Sequence, residues 1–345
     1  MSGTWENKMK NGRKEKCIVF GDSNSYITNI LLRSLLEINA KYKYFDILFV
    51  VDTQKRPIPF LKKILKIFII HAIKITFNKK YRNLSYIQSL RFLLTDLYKI
   101  SKKYKVEVIH IPNINSKEFL EILENIKPTV GILIGCPQIF QPPVISKFEY
   151  LVNYHNSLLP KYKGLNATAW SIYFGEQKTG FTFHIVNENI DEGNILIQDV
   201  IEIDSSKSLL ELEIEKTKKA SETLKNLIMK IKNRDKGRKQ EGIGSYFGKK
   251  EIKKITTIEK PENFTSQEII KRLVSFEIVN IKIGDDFVPV TDIAVCFNEK
   301  KASNHVKVKD ACLEIKRALY MPVRLYKAYT LLKRGIFRRR SIKNE

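Results

Sequence analysis

The sequence contains few cysteines, and they are not spaced as metal ligands or as disulfide partners. Cys17, Cys136, Cys296 and Cys312 are the four cysteines among 345 residues, and none of them forms a C-x-x-C pair. This usage argues against a zinc motif and against a disulfide framework. The sequence therefore predicts a cytoplasmic protein without a bound metal.

Long apolar runs and a dinucleotide fingerprint are also missing. The first twenty residues hold no apolar stretch of the kind that opens a secretory signal. The apolar segment 58–77 is interrupted by four lysines, too often for a bilayer span. We expect a buried helix with solvated lysine ends there, or a helix in a membrane interface. The loop Gly21–Ser25 lacks the G-x-G-x-x-G spacing, which disfavours a nicotinamide cofactor.

Acidic residues are outnumbered by basic ones, 37 against 61, which gives a formal net charge of +24. Residues 53–82 hold nine Lys and Arg and no acid, and residues 301–345 hold thirteen against three acids. Such segments attract polyanions, namely nucleic acid, anionic lipid or a phosphorylated substrate. The same excess fits plain solubility combined with a lysine-rich coding bias, so charge alone does not choose the partner.

Short apolar runs alternate with amphipathic segments along the first half of the chain. Strands are predicted over 16–20, 44–52, 106–112, 128–135 and 150–155. Helices are predicted over 115–126, with Asn115 or Ser116 as N-cap, and over 208–233. The alternation predicts an α/β fold, a Rossmann-like and mostly parallel sheet with helices on both faces. Ligands of such sheets bind beyond the carboxyl ends of the strands.

Composition changes along the chain predict a second, smaller domain. We expect a disordered N-terminus over 1–15 and the main domain over 16–233. A glycine-rich linker (234–250) would follow, then a small α+β domain (251–315) with a Thr265–Glu268 capping box and a hairpin, and a basic helical tail (316–345).

Two polar side chains stand at the end of the fifth predicted strand. Asn153 and His155 are two residues apart and so face the same side of a strand. An amide donor beside a group that titrates near neutrality suits chemistry at a carbonyl. Asp191 follows 36 positions after His155 (191 − 155) in an acidic turn, and could converge with them. That pattern fits acyl transfer in which the substrate supplies the attacking group. His184, inside an apolar strand, is interpreted as a strand histidine without a role.

Two stretches around these residues resemble the motifs of a known family. "NYHNSLLPKYKG" (153–164) and "IDEGNIL" (190–196) are similar to the signatures of formyltransferases that use 10-formyltetrahydrofolate. The resemblance covers 128–200 and, in the order of elements, 16–52. It implies an enzyme with Asn153, His155 and Asp191 as catalytic residues and 10-formyltetrahydrofolate as co-substrate.

The resemblance also implies a role for each site residue. Asn153 would hold the formyl oxygen as it gains negative charge, with His155 assisting, and Asp191 would steer the protonation of His155 and the proton path from the amine. Backbone groups of two loops would hold the pterin ring, namely Gly135, Cys136, Pro137, Gln138, Ile139, Phe140, Asn187 and Ile190. Substrate contacts are expected from Asp22, Asn24, Ser157, Leu158 and Gly164, although a helix-cap role for Asp22 and Asn24 is an equal alternative.

The expected acceptor is a nucleotide-linked amino sugar or a similar small amine. The stretch "LNATAW" (165–170) departs from the pattern of the tRNA enzymes, and the basic insert after the second strand looks helical rather than glycine-rich. Positive charge favours tRNA, so a methionyl-tRNA formyltransferase is the alternative. A second alternative is a non-catalytic protein of the same fold that binds nucleic acid or a membrane surface.

Overall fold

The computed structural model describes residues 14–54, 60–77, 82–94, 96–296, 305–318 and 321–322. The first eight strands are β1 (Glu15–Gly21), β2 (Phe45–Asp52), β3 (Val108–His110), β4 (Val130–Ile134), β5 (Tyr150–His155), β6 (Lys163–Gly164), β7 (Lys178–Ile185) and β8 (Ile195–Glu202). Seven of them form one sheet in the order β3-β2-β1-β4-β5-β7-β8.

This sheet is parallel from β3 to β5 and antiparallel from β5 to β8. The expected Rossmann-like, mostly parallel sheet is confirmed. The antiparallel pairing of β5 with β7 has a consequence for the site, because it places Asn153 directly opposite His184.

Helices cover both faces of the sheet. They are α1 (Tyr26–Tyr42), α2 (Phe60–Phe77), α3 (Leu84–Leu93), α4 (Leu97–Lys103), α5 (Lys117–Ile126), α6 (Pro142–Ile145), α7 (Ala167–Tyr173), α8 (Leu209–Glu222) and α9 (Leu224–Lys232). Successive side chains of a strand point to opposite faces. Accordingly Cys17 and Val19 belong to the core beneath α1 and α9, while Ile18 and Phe20 belong to the core beneath α5.

The helix boundaries follow local hydrogen bonding. Ser116 caps α5, since its side chain accepts the N–H of Phe119. The single helix expected over 208–233 is wrong, because α8 ends at Glu222 and α9 begins at Leu224. The N–H and the hydroxyl of Thr223 both donate to the carbonyl of Ala220, which interrupts the regular hydrogen-bond ladder.

The long segment between β2 and β3 consists of α2, α3 and α4, in agreement with the helical insert expected from the sequence. His71 Nδ1 on α2 lies 2.7 Å from the hydroxyl of Tyr86 on α3, so these two helices are joined. Within the described residues, no helix combines the length and the apolar character needed to cross a membrane.

The second part of the chain forms a smaller α+β domain. A short strand, β9 (Tyr246–Phe247), precedes it in the chain. The helices of the small domain are α10 (Lys249–Thr256) and α11 (Ser266–Phe276). Its strands are β10 (Thr257–Ile258), β11 (Val279–Ile283), β12 (Asp286–Cys296), β13 (His305–Lys307), β14 (Cys312–Ala318) and β15 (Met321–Pro322). The sheet order is β10-β11-β12-β14-β13, with β15 beside β14. The expected capping box and hairpin are present.

Two expected boundaries of this region need correction. The tail that was expected to be helical from residue 316 begins instead as a β-strand, because Arg317 of β14 pairs with Pro322 of β15. Residues 323–345 and 1–13 lie outside the described residues. The expected linker contains β9, which pairs in parallel with β6 of the main domain.

Aromatic side chains join the two domains. Trp170 on α7 stacks on Phe247 of β9 with ring centroids 4.0 Å apart, and it meets Phe276 of α11 edge-on at 4.9 Å. Lys74 on α2 forms a 3.0 Å ion pair with Glu277, just after α11. The small domain is therefore packed on α7 and α2.

Candidate active site

The three residues expected to carry the chemistry lie together at the end of β5. Asp191 Oδ2 is 3.3 Å from His155 Nδ1, and Asp191 Oδ1 is 3.4 Å from Asn153 Nδ2. Asp191 has the left-handed backbone conformation (φ 54°). Gly193 lets the turn fold back over β7, since a Cβ there would lie 1.7 Å from the carbonyl oxygen of Ile185.

A fourth residue, His184, belongs to the cluster and was missed from the sequence. Its Nε2 lies 3.1 Å from Asn153 Nδ2 and 3.4 Å from Asp191 Oδ1, and its Nδ1 lies 2.9 Å from the carbonyl oxygen of Ile185. Nδ1 therefore carries the proton that this carbonyl accepts, and Nε2 is left to accept from the Asn153 amide. The antiparallel register between β5 and β7 is the signal that would have revealed it.

Both ring nitrogens of His155 face oxygen acceptors. Nε2 lies 2.9 Å from the carbonyl oxygen of Tyr162, and Nδ1 faces Asp191. Burial lowers the pKa of His155, whereas the charge of Asp191 acts in the opposite direction. The protonation of His155 therefore depends directly on the charge of its neighbour.

Asp191 is held as a carboxylate by the groups around it. Burial would raise its pKa, but the charge of His155 and the N–H of Gly164 act against burial, and the pKa is held well below its usual range. The Gly164 N–H lies 2.8 Å from Asp191 Oδ2. At neutral pH the site thus contains a fixed negative charge surrounded by donors.

The segment before the small domain supports this carboxylate. Gly164 has φ +88°, and a Cβ there would lie 2.5 Å from the carbonyl oxygen of Phe247 in β9. Gln240 Nε2 donates to the carbonyls of Asp191 and Gly193, at 2.8 and 2.9 Å. Nothing in the sequence pointed to Gln240, because its partners are distant along the chain.

A buried polar network lies beneath the loop that follows His155. Lys216 Nζ on α8 donates to the carbonyl of Asn156 at 2.9 Å and to Thr168 Oγ1 at 2.7 Å. Asn156 Nδ2 lies 3.3 Å from Glu213 Oε1, and Glu213 also accepts from the hydroxyl of Tyr26. Burial lowers the pKa of Lys216 to about 7.

The residues expected to contact the substrate lie in different surroundings. Ser157 is fully buried and its hydroxyl donates to the carbonyl of Lys161, so its side chain supports its own loop. Leu158 is partly buried against the backbone of β7 at Gly180. Asp22 Oδ1 accepts the N–H of Asn24 at 2.6 Å, and both residues are partly exposed at the strand ends.

The cap of α1 is Ser25, whose side chain accepts the N–H of Thr28. The helix cap that was considered for Asp22 or Asn24 is therefore provided by Ser25. Asp22 instead closes a short turn that leads into the helix.

The loop after β4 has an anchored interior and an exposed rim. Gln138 Nε2 donates to the carbonyl of Thr53 at 2.7 Å, and Phe140 packs edge-on against Phe20 in the core. Burial raises the pKa of the Cys136 thiol to about 11, so it is not a thiolate at neutral pH. Gly135 is partly buried at the end of β4, and Pro137 and Ile139 form the exposed rim.

The loop that bears Asp191 is similarly exposed before the carboxylate. Asn187 is exposed and its side chain accepts the N–H of Asn189, and Ile190 is 37% exposed. Ile139 is 64% exposed on the other loop. In the part of the chain that the structure describes, no three His, Cys, Asp or Glu side chains are grouped as metal ligands.

Comparisons with known proteins find similar sequences and structures. Residues 99–228 match the family model "Formyl transferase". GDP-perosamine N-formyltransferase of Brucella melitensis is 34% identical over 140 residues, 39% of this chain and 52% of that protein. Methionyl-tRNA formyltransferase of Thermosipho melanesiensis is 32% identical over 122 residues, 35% of this chain and 40% of that protein. The chain thus matches about half or less of the length of these relatives.

The fold extends beyond the matched sequence. The solved structure of WlaRD, a sugar 3N-formyl transferase in the presence of dTDP and 5-N-formyl-THF, covers 89% of this chain and 99% of its own. Its TM-score is 0.55 and its sequence identity 20%, so it shows a shared fold.

Proposed function

Because the chain carries a formyl transferase domain, we propose that it is an N-formyltransferase. The donor is 10-formyltetrahydrofolate, and the acceptor is the primary amine of a nucleotide-linked amino sugar. The observation that carries the proposal is the cluster in which the Asp191 carboxylate lies within about 3.4 Å of Asn153, His155 and His184. An amide, two imidazoles and a carboxylate meet the needs of amine attack on a formyl carbon.

In the proposed reaction a bond forms between the amine nitrogen and the formyl carbon, and the bond from that carbon to N10 of the folate breaks. The formyl oxygen gains negative charge in between. Asn153 Nδ2 donates to that oxygen, and its 3.4 Å contact with Asp191 is long enough to be given up. His155 assists, and the proton lost by the amine leaves through Asp191 while N10 gains one.

His184 acts as a positioning residue in this proposal. Its Nε2 accepts from the Asn153 amide, which fixes which end of the amide points into the site. A donor held in place before the reaction costs no reorganisation when charge develops. The loops Gly135–Phe140 and Asn187–Asp191 would hold the pterin ring through backbone groups.

A small acceptor is supported by the similarity to a GDP-perosamine N-formyltransferase. A methionyl-tRNA acceptor is the second candidate, favoured by the net charge of +24 and by the similarity to a tRNA enzyme. Phosphate contacts make tRNA binding strongly dependent on salt, whereas a nucleotide sugar carries few charges.

The test is a formyl-transfer assay on the full chain with 10-formyltetrahydrofolate. GDP-, UDP- and dTDP-linked amino sugars are compared with initiator methionyl-tRNA, and products are followed by mass. Formylation of one sugar supports the proposal, and formylation of the tRNA alone selects the second candidate. Absence of both transfer and folate binding would leave a non-catalytic protein of this fold.

A further inference from the structure

Helix α2 is apolar on both of its sides. One side packs inward, with Ile64, Ile67 and Ile70 partly buried and Lys74 buried. The opposite side carries Leu65, Phe68 and Ile69, which are 59%, 70% and 48% exposed. A surface helix ordinarily presents polar side chains to water. Among the described side chains of this side, a Phe and two aliphatic residues are exposed to water as well as Thr76.

The neighbouring helix α3 repeats the pattern. Tyr86 and Ser89 are buried on its inner side, and Tyr86 makes the hydrogen bond to His71 of α2. Leu84 and Ile87, at helical spacing, are 68% and 45% exposed, and Leu94 after the helix is 42% exposed. We call these six side chains the outer face; they are Leu65, Phe68, Ile69, Leu84, Ile87 and Leu94. Exposed apolar groups of this kind mark interaction surfaces.

The segment that carries the outer face has charge of one sign. From Thr53 to Thr95 the sequence holds ten Lys and Arg and no Asp or Glu. Arg82 and Arg91 are exposed beside the apolar side chains. The charge of Lys74 is neutralised by Glu277 and is not available to a partner.

A second basic segment leaves the described structure at the same place. Strand β15, which ends at Pro322, contacts α2. The 23 residues that follow contain eight Lys and Arg and one acid. The sequence that follows β15 is therefore strongly basic.

We infer that the outer face docks on an anionic lipid membrane. Its apolar side chains enter the boundary between headgroups and acyl chains, and the exposed Arg82 and Arg91 meet the lipid phosphates. RNA would use the basic groups but leave Phe68 and Leu65 in water. A second copy in a two-fold dimer would set the same basic segments against each other. The inference does not depend on the proposed formyl transfer.

The experiment is sedimentation of the full chain with vesicles, one set of pure phosphatidylcholine and one rich in phosphatidylglycerol. We expect binding to the anionic vesicles only. The double variant Leu65→Gln/Phe68→Gln should bind about tenfold less tightly or worse, because two apolar side chains no longer leave water. The matched control Ile243→Gln/Phe287→Gln changes two exposed apolar residues elsewhere and should bind like the original protein.

A Phe68→Trp variant reports insertion directly. In a Trp5→Phe background its emission should shift to the blue on anionic vesicles, and the shift should be absent in Trp5→Phe alone, where the remaining Trp170 is already buried. Failure to bind anionic vesicles overturns the inference. So does binding that the double variant leaves unchanged, since that would be charge attraction alone. A dimer in solution, or a complex with tRNA, that the double variant abolishes would assign the face to that partner instead.

Discussion

Asp191 gathers donors from two parts of the chain. The N–H of Gly164, the Asn153 amide and His155 all face its carboxylate, and its own φ of 54° holds it in the turn. Asparagine adopts the left-handed conformation readily, so Asp191→Asn keeps the backbone. The substitution replaces one carboxylate oxygen, which accepts hydrogen bonds, by an amide NH2 group, which donates them. That NH2 group must then face either a histidine or the N–H of Gly164.

We therefore expect Asp191→Asn to fold and to lose about 10²-fold or more in kcat, the usual scale for a lost acid–base group. Steady-state kinetics with the sugar acceptor and titration of folate binding measure this. The exposed residue Asp204 provides a matched control as Asp204→Asn, which should keep full activity. Full turnover in Asp191→Asn would remove this residue from the chemistry.

Lys216 makes a different kind of prediction, because its charge is buried. Its pKa is about 7 in the folded protein and 10.5 as a free side chain, with desolvation as the main cause. The folded state therefore binds fewer protons from this group than the unfolded state between those values, and its contribution to stability grows as pH rises from 7 to 10. The original protein should melt at a higher temperature at pH 9 than at pH 7.

Lys216→Met keeps the length of the side chain and removes the charge. It should abolish most of that rise in the melting temperature, as measured by circular dichroism at both pH values. The exposed control Lys218→Met should show the same rise as the original protein. An equal rise in Lys216→Met would mean that another group titrates in this range.

At the scale of elements, local signals were readable in the sequence and distant pairings were not. The apolar runs of β1, β4 and β5 identify buried strands, and the Thr265–Glu268 capping box marks the start of α11. The sequence did not reveal the roles of His184, Gln240 and Lys216, because each meets a partner 31 residues or more away along the chain. Their types and spacing carry no local pattern, and only the pairing of β5 with β7 and the packing of α8 bring them to the site.

The contact between α2 and α3 should weaken in acid. The pKa of His71 is lowered from 6.5 to about 4, mainly by burial and secondly by the charge of Lys74. The folded state resists protonation, so this stabilisation is full above pH 6.5 and is lost as pH falls towards 4. Hydrogen exchange over 60–94, corrected for its intrinsic pH dependence, should show lower protection at pH 5 than at pH 7. His71→Gln should flatten the difference, and the exposed control His110→Gln should not.

At the scale of the whole molecule, the aromatic contacts of Trp170 tie the two domains together. Phe247→Ala should cost about 2–3 kcal/mol, less than a fully buried phenylalanine because Phe247 is partly exposed. In a Trp5→Phe background Trp170 is the remaining tryptophan. When Phe247→Ala is added to this background, the emission of Trp170 should shift to the red, because the ring stacked on it is lost. The kcat should fall as well, because β9, which contains Phe247, also packs on Gly164. Phe287→Ala, an exposed site in the small domain, is the control. Unchanged emission and turnover would mean that the two domains are independent.

The pairing of β6 with β9 restricts where the gene for this protein could recombine with the genes of its relatives. A gene fragment that stops after α9 would encode the entire seven-stranded sheet and all four residues of the cluster, yet it would lack Gln240 and the strand that lies against Gly164. An exchange of C-terminal domains between relatives would preserve the inherited site only if the crossover fell after Phe247. The break in the glycine-rich stretch near 234, which looks like the natural joint in the sequence, would separate the carboxylate from part of its support.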